Sequence, residues 1–168
     1  AQKNLGPAGV TMVIIRRSLL EKATTDLPMM LRYETYAKNR SMYNTPPVFP
    51  IYFVGLVFQW ILDNGGVAGI EGLNERKAGY IYDAIDSSGG FYRGHADVAD
   101  RSRMNITFRC PSEDIEAKFI EEAAQHDMVN LKGHRSVGGL RASVYNAFPE
   151  AGCRQLSEFM ADFAQRNG

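Results

Sequence analysis

The apolar run from Val48 to Leu62 constrains this chain more than any other stretch. Pro50 and Gly55 interrupt it, and it falls short of the roughly 20 residues that a membrane-spanning helix needs. It therefore predicts a buried helix, near a core or at a subunit contact. Pro46-Pro47 just ahead of it cannot sit inside a helix but can open one. Asn64-Gly65-Gly66 stops it at its far end. A second long helix is predicted over Val67–Ser87, with Ile70, Leu73, Lys77, Ile81 and Ile85 on one stripe and Lys77 contributing its aliphatic stem.

Around this helical pair the pattern is mixed. Gly9 to Ile15 is apolar and rich in β-branched residues, which predicts a central strand. A short helix around Ser18–Ala23, a loop over Thr24–Met30 and a turn of helix within Arg32–Arg40 follow. From Arg103 to Arg109 the alternation is clean: Met104, Ile106 and Phe108 face one way, Asn105 and Thr107 the other. Ser112 has the look of a capping residue ahead of a helix carrying Ile115, Phe119 and Ala123. Strands are expected near Val129–Leu131 and Leu140–Tyr145. A last helix puts Leu156, Phe159, Met160 and Phe163 on one face. These later elements read as a small α/β layer with helices packed on one side of a sheet.

A chain of 168 residues can bury a real core, as one domain or slightly more. Lysine plus arginine balance aspartate plus glutamate at 19 each, so no bulk field favours nucleic acid or an anionic membrane. Anion binding must come from local clustering of arginines. Cys110 and Cys153 stand apart with no CxxC, which argues against a disulfide scaffold or structural zinc and fits a reducing cytoplasm. No secretory signal pattern precedes the apolar run.

Three stretches can carry chemistry. In Gln2-Lys3-Asn4-Leu5-Gly6-Pro7-Ala8-Gly9, a lysine stands on a glycine- and proline-rich junction, fixed yet reachable, as a Schiff-base lysine must be. Its plain alternative is a solvated lysine near a terminus. Asn44 and Thr45 in Ser41-Met42-Tyr43-Asn44-Thr45-Pro46-Pro47 offer an amide, a hydroxyl and backbone donors at a helix start. That makes either a phosphate cradle or an ordinary N-cap. The third stretch, Gly133 to Ser143, holds His134, Arg135 and Arg141. Arg141 points off the apolar face of its strand, and glycines at 133, 138 and 139 allow close approach. Arginine forks suit carboxylates and phosphates. Arg101 and Arg103, near Asp97 and Asp100, read as a solvated charged loop. Tyr43, Tyr52 and Trp60 read as packing, and His95 and His126 lack metal-ligand spacing.

These three motifs, in this order, resemble the phosphoserine aminotransferase family, class V of the fold-type I pyridoxal-phosphate enzymes, over essentially the whole chain. The resemblance implies an α/β fold in which residues 1–73 trail a large cofactor domain and residues 74–168 form the small C-terminal domain. It implies that Lys3 holds pyridoxal 5'-phosphate and then moves a proton at the substrate α-carbon, with Gln2 beside the cofactor phosphate. Asn44 and Thr45 would serve the cofactor phosphate of the neighbouring subunit, hence a homodimer. Arg141 would grip the substrate α-carboxylate, and His134 and Arg135 the distal phosphate of phosphoserine or the side-chain carboxylate of glutamate. The implied reaction exchanges an amino group between O-phosphoserine and 2-oxoglutarate in serine biosynthesis. The family also makes 4-phosphohydroxy-threonine in pyridoxine biosynthesis. Family members carry the lysine well inside a longer chain, after a glycine-rich phosphate loop, a ring-stacking aromatic and a pyridine-pairing aspartate. The expectation is therefore a C-terminal part, inactive unless a separate N-terminal polypeptide supplies those groups. The alternative is an inert domain that keeps only an anion pocket around Arg135 and Arg141.

Overall fold

The structure, a computed structural model, describes residues 1–24 and 26–168, and the chain divides into two compact units, Ala1–Leu62 and Asp63–Gly168. In the first unit, residues 1–10 close into a loop: the Ala1 amine donates to the Val10 carbonyl at 2.5 Å, and Gly6 N donates to Lys3 O at 3.1 Å. Gly6 and Gly9 take the left-handed φ values of +119° and +112°. A Cβ on Gly9 would meet Pro50 at 3.1 Å and one on Gly6 would meet Val54 at 3.5 Å, so the loop lies against the long apolar helix. Short helices α1 (Arg17–Glu21) and α2 (Tyr33–Lys38) flank a 3-10 turn at Met29–Leu31. Of the expected loop over 24–30, Thr25 lies outside the described residues.

The strand expected over Gly9–Ile15 is absent. No described residue pairs with it, and Val13 and Ile14 are 50% and 94% exposed. A β-branched run favours extended backbone, but a strand also needs a neighbour for its N–H and C=O groups. The long helix α3 (Val48–Asp63) forms as expected but is not a core helix. Only Val54 is buried, while Phe49, Tyr52, Leu56 and Leu62 face outward. No single helix among the described residues is long and apolar enough to cross a membrane.

Near the start of the second unit, Gly65, at φ +88°, caps α4 (Gly66–Asp86). Ile70, Lys77, Ile81 and Ile85 of the predicted stripe are buried along it. A sheet in the order β1-β2-β3 follows, antiparallel throughout, from β1 (Arg93–Gly94), β2 (Asn105–Arg109) and β3 (Leu140–Ser143). Helix α5 (Glu113–Ala124) lies between β2 and β3 in sequence, and α6 (Glu150–Asn167) closes the chain. The Ser112 hydroxyl accepts from Ile115 N, so the predicted cap is real, although position 115 carries no carboxylate to complete a capping box. The strand expected at 129–131 reduces to one bridge, Lys132 with Leu140.

One face of the sheet builds the core. Ile106, Phe108, Leu140 and Ala142 pack with Ile81, Ile85, Phe119, Phe159 and Phe163 of the three helices. Phe119 is fully buried and sits edge-on to Phe159 and Phe163 at 5.0 and 5.1 Å between centroids, the arrangement that ring quadrupoles favour. The buried Tyr92 hydroxyl donates to Met160 O at 2.8 Å. The helices therefore cover one side of the sheet, as the pattern implied, and leave the other side polar.

Candidate functional site

The polar side of the sheet carries the arginines. Thr107 pairs with Arg141 and Arg93 with Arg109, so these side chains share the face opposite the core. At its edge, Asn105 Oδ1 accepts from the Ser143 and Tyr145 hydroxyls at 3.1 and 3.0 Å. Arg141 is half-buried, and its Nε is a buried donor with no hydrogen-bond partner. Two other such atoms occur among the described residues, Arg101 Nε and Asn74 Oδ1, but only the Arg141 donor lies on the strand that the 133–139 turn enters, where an anionic ligand would supply its acceptor.

His134 and Arg135 sit on a tight turn leading into β3. Gly133 N donates to Gly139 O at 2.7 Å and closes its neck, while Val137 N and Gly138 N donate to His134 O at 2.9 and 2.7 Å. A Cβ on Gly133 would lie 2.0 Å from Gly138 O, so this neck tolerates only glycine. His134 Nδ1 lies 2.7 Å from the Ser136 hydroxyl, which orients the ring. Both side chains are exposed. The second unit thus gathers His134, Arg135 and Arg141 onto one turn and the strand it enters.

Gln2, Lys3, Asn44 and Thr45 belong to the first unit and are exposed. Lys3 holds its turn through its own carbonyl, and Asn44 and Thr45 stand just before Pro46-Pro47 at the start of α3. A primary amine, two side-chain amides and a hydroxyl, all accessible, are the donor set that an aldehyde and a phosphate require. These residues fit pyridoxal 5'-phosphate in chemistry.

Three features escaped sequence reasoning. Arg101 and Arg103 do not pair with Asp97 and Asp100. Arg101 forks onto Asp86 at 2.6 and 2.7 Å, and Arg103 bridges Glu71 and Glu75 at 2.7 Å each, both reaching α4. The Arg101 guanidinium holds the Asp86 carboxyl below the usual carboxylate range. Lys77 buries its ammonium as well as its stem. Nζ donates toward the carbonyls of Val144, Tyr145, Asn146 and Phe148 at 2.6 to 3.2 Å, tying α4 to the segment after β3. Finally, Arg109 reaches from β2 to the 133–139 turn. No sequence pattern pointed to it; Arg109 comes beside Gly139 only through the pairing of Phe108 with Leu140.

Residues 1–156 match a family model described as aminotransferase class-V. A phosphoserine aminotransferase from Niallia circulans is 56% identical over 100% of this chain and 46% of its own length. The structure of the phosphoserine aminotransferase from Bacillus circulans subsp. alkalophilus aligns with TM-score 0.87 and 54% identity, over 92% of this chain and 43% of that one. A PLP-bound phosphoserine aminotransferase from Trichomonas vaginalis aligns with TM-score 0.79 and 40% identity, over 87% and 42%. The chain therefore spans about half the length of the relatives it matches.

Proposed function

This chain belongs to the aminotransferase class-V family, and from that premise we propose that it carries the lysine and anion-binding half of a pyridoxal-phosphate-dependent phosphoserine aminotransferase. The reaction moves an amino group between O-phospho-L-serine and 2-oxoglutarate, with glutamate as the second amino acid. The single observation that carries this reading is the orphaned, buried Nε of Arg141 beside a glycine-closed turn bearing His134 and Arg135. A substrate with one carboxylate and one distal anion matches that pair of cationic positions.

Each residue has a role in this proposal. Arg141 holds the substrate α-carboxylate in its fork, while His134 and Arg135 hold the distal phosphate or the glutamate side-chain carboxylate. Pyridoxal 5'-phosphate, when bound, supplies the electron sink that makes the α-carbon acidic. Lys3 provides the amine that holds the cofactor and then moves a proton at the α-carbon. Gln2 donates to the cofactor phosphate. Asn44 and Thr45 reach the phosphate of a second subunit in a homodimer, which also gives the outward apolar side chains of α3 a contact to fill. Residues 1–73 then end a large cofactor domain and residues 74–168 form the small one. Two free, buried thiols fit a cytoplasmic setting.

The test is borohydride reduction of the cofactor-loaded dimer followed by peptide mapping. The pyridoxyl label should sit on Lys3, and a label on Lys22, Lys38 or Lys77 would overturn the assignment. Arg135→Ala should weaken phosphoserine more than alanine, which lacks a distal anion. Equal losses for the two donors would refute the role given to Arg135.

A further inference from the structure

Arg109 ends β2 on the polar side of the sheet and spends its fork on two partners that no ligand needs. Nη1 meets the Glu116 carboxylate at 3.2 and 3.4 Å, and Nη2 donates to the Val137 carbonyl at 3.0 Å. Glu116 is buried and also accepts from Cys110 N at 3.3 Å, so the carboxylate is itself anchored at the start of α5. Val137 belongs to the turn that carries His134 and Arg135.

The glycines of that turn are shaped to the same side chain. Gly138 and Gly139 take φ values of +75° and +71°. A Cβ on Gly138 would lie 3.3 Å from Arg109 Nη2, and one on Gly139 would lie 2.9 Å from Arg109 Cδ. The Arg109 side chain thus lies against the Gly-Gly pair while hydrogen bonding to the residue before it. A planar fork holds a carboxylate on one side and a carbonyl on the other in fixed geometry, which the flexible ammonium of a lysine does not reproduce.

We infer that Arg109, braced by Glu116, is a positioning residue for the distal-anion pair: it locks the 133–139 turn in the form that presents His134 and Arg135. This inference rests on the anion-binding reading of that pair. Each terminal nitrogen of Arg109 has a partner within the chain, Glu116 or the Val137 carbonyl, so its role here is to hold the turn while His134 and Arg135 meet the anion.

The experiment uses the 168-residue chain with inorganic phosphate and O-phosphoserine as probes. Amide hydrogen exchange and NMR shifts are followed at Gly133, Val137 and Gly138, with Ile106 and Phe108 as core controls. Arg109→Met keeps the aliphatic stem and should raise exchange at Val137 and Gly138 while the core amides hold. It should also weaken phosphate binding about tenfold, the equivalent of one charge-assisted hydrogen bond. Glu116→Gln, which frees Arg109 without removing it, should reproduce part of both effects. Arg109→Lys should rescue neither fully. Arg135→Ala should weaken phosphate binding with exchange in the turn unchanged.

Unchanged exchange in the turn of Arg109→Met would overturn the brace whatever happens to binding. Raised exchange with undiminished phosphate affinity would overturn the positioning role. Phosphate binding that ignores Arg135→Ala would instead overturn the anion reading itself. Global loss of core protection in Arg109→Met shifts the decision to Glu116→Gln, where an unaffected turn refutes the inference.

Discussion

Lys77→Met isolates what a buried ammonium contributes to this fold. Methionine keeps most of the stem volume and removes only the charged head. In the native chain Nζ has three N–H groups and faces four carbonyls, at 2.6, 3.1, 3.2 and 3.2 Å. Hydrogen bonds to a charged group contribute about 1.5–3 kcal/mol each, so three of them amount to roughly 5–9 kcal/mol before any offset. Relief from burying the ammonium returns several kcal/mol, which leaves a net loss of about 2–4 kcal/mol. Lys77→Ala deletes three methylenes as well, at about 0.8 kcal/mol each plus a cavity, and should lose about 2–3 kcal/mol more than Lys77→Met. The assay is urea titration read by native-state hydrogen exchange at Ile106 and Phe108, which reports the second unit alone. Burial lowers the Lys77 pKa from its ordinary 10.5, so the folded chain releases this proton before the unfolded chain does. Wild type should therefore gain on Lys77→Met as the pH rises towards 10.5. Equal or greater stability of Lys77→Met at neutral pH would refute the reasoning, because desolvation would then outweigh the carbonyl bonds.

Other perturbations test the core and its thiols. Phe119→Ala removes the ring at the centre of the aromatic cluster and should cost about 3–5 kcal/mol, measured by the same exchange assay; a loss under 1 kcal/mol would mean that the neighbouring rings collapse into the gap. Burial pushes Cys110 up to about 12 and Cys153 up to about 11, so a thiolate-selective reagent at pH 8 should label neither until urea unfolds the chain. The same shifts mean that the stability these protonated thiols contribute is complete below pH 9.0 and is lost as the pH rises through 11 and 12.

What the sequence made legible was local. The alternation through Ile106 and Phe108, the Ser112 cap and the stripe Leu156, Phe159, Met160 and Phe163 each depend on residues a few positions apart, and all stand in the structure. What stayed hidden depends on distant partners. Arg93–Gly94 is too short for a period and becomes a strand only because β2 lies beside it. Gly9–Ile15 has strand composition but no paired strand among the described residues, so its composition alone misled. The acceptors of Lys77 lie 67 to 71 positions away, which is why an apolar stripe suggested a snorkelling stem and not a buried charge. Arg101 and Arg103, read from sequence as a solvated charged loop, instead reach acids on α4 that lie 15 to 32 positions away. At the candidate site, the side of β3 that Arg141 takes follows from period-two alternation. The contact between Arg109 and the Gly-Gly pair follows from no pattern at all.

That contact has a consequence for how such chains can vary. Residues 109, 116, 138 and 139 form one mechanical unit, so substitution at any of them alters what the others can tolerate. A lineage that shortens residue 109 frees space above positions 138 and 139, while their positive φ still penalises a side chain there. Drift should then begin at residue 116, whose carboxylate loses its counter-charge, and reach the two glycines last. Across many sequences, the identity at 109 should forecast the identity at 116 far better than it forecasts either glycine.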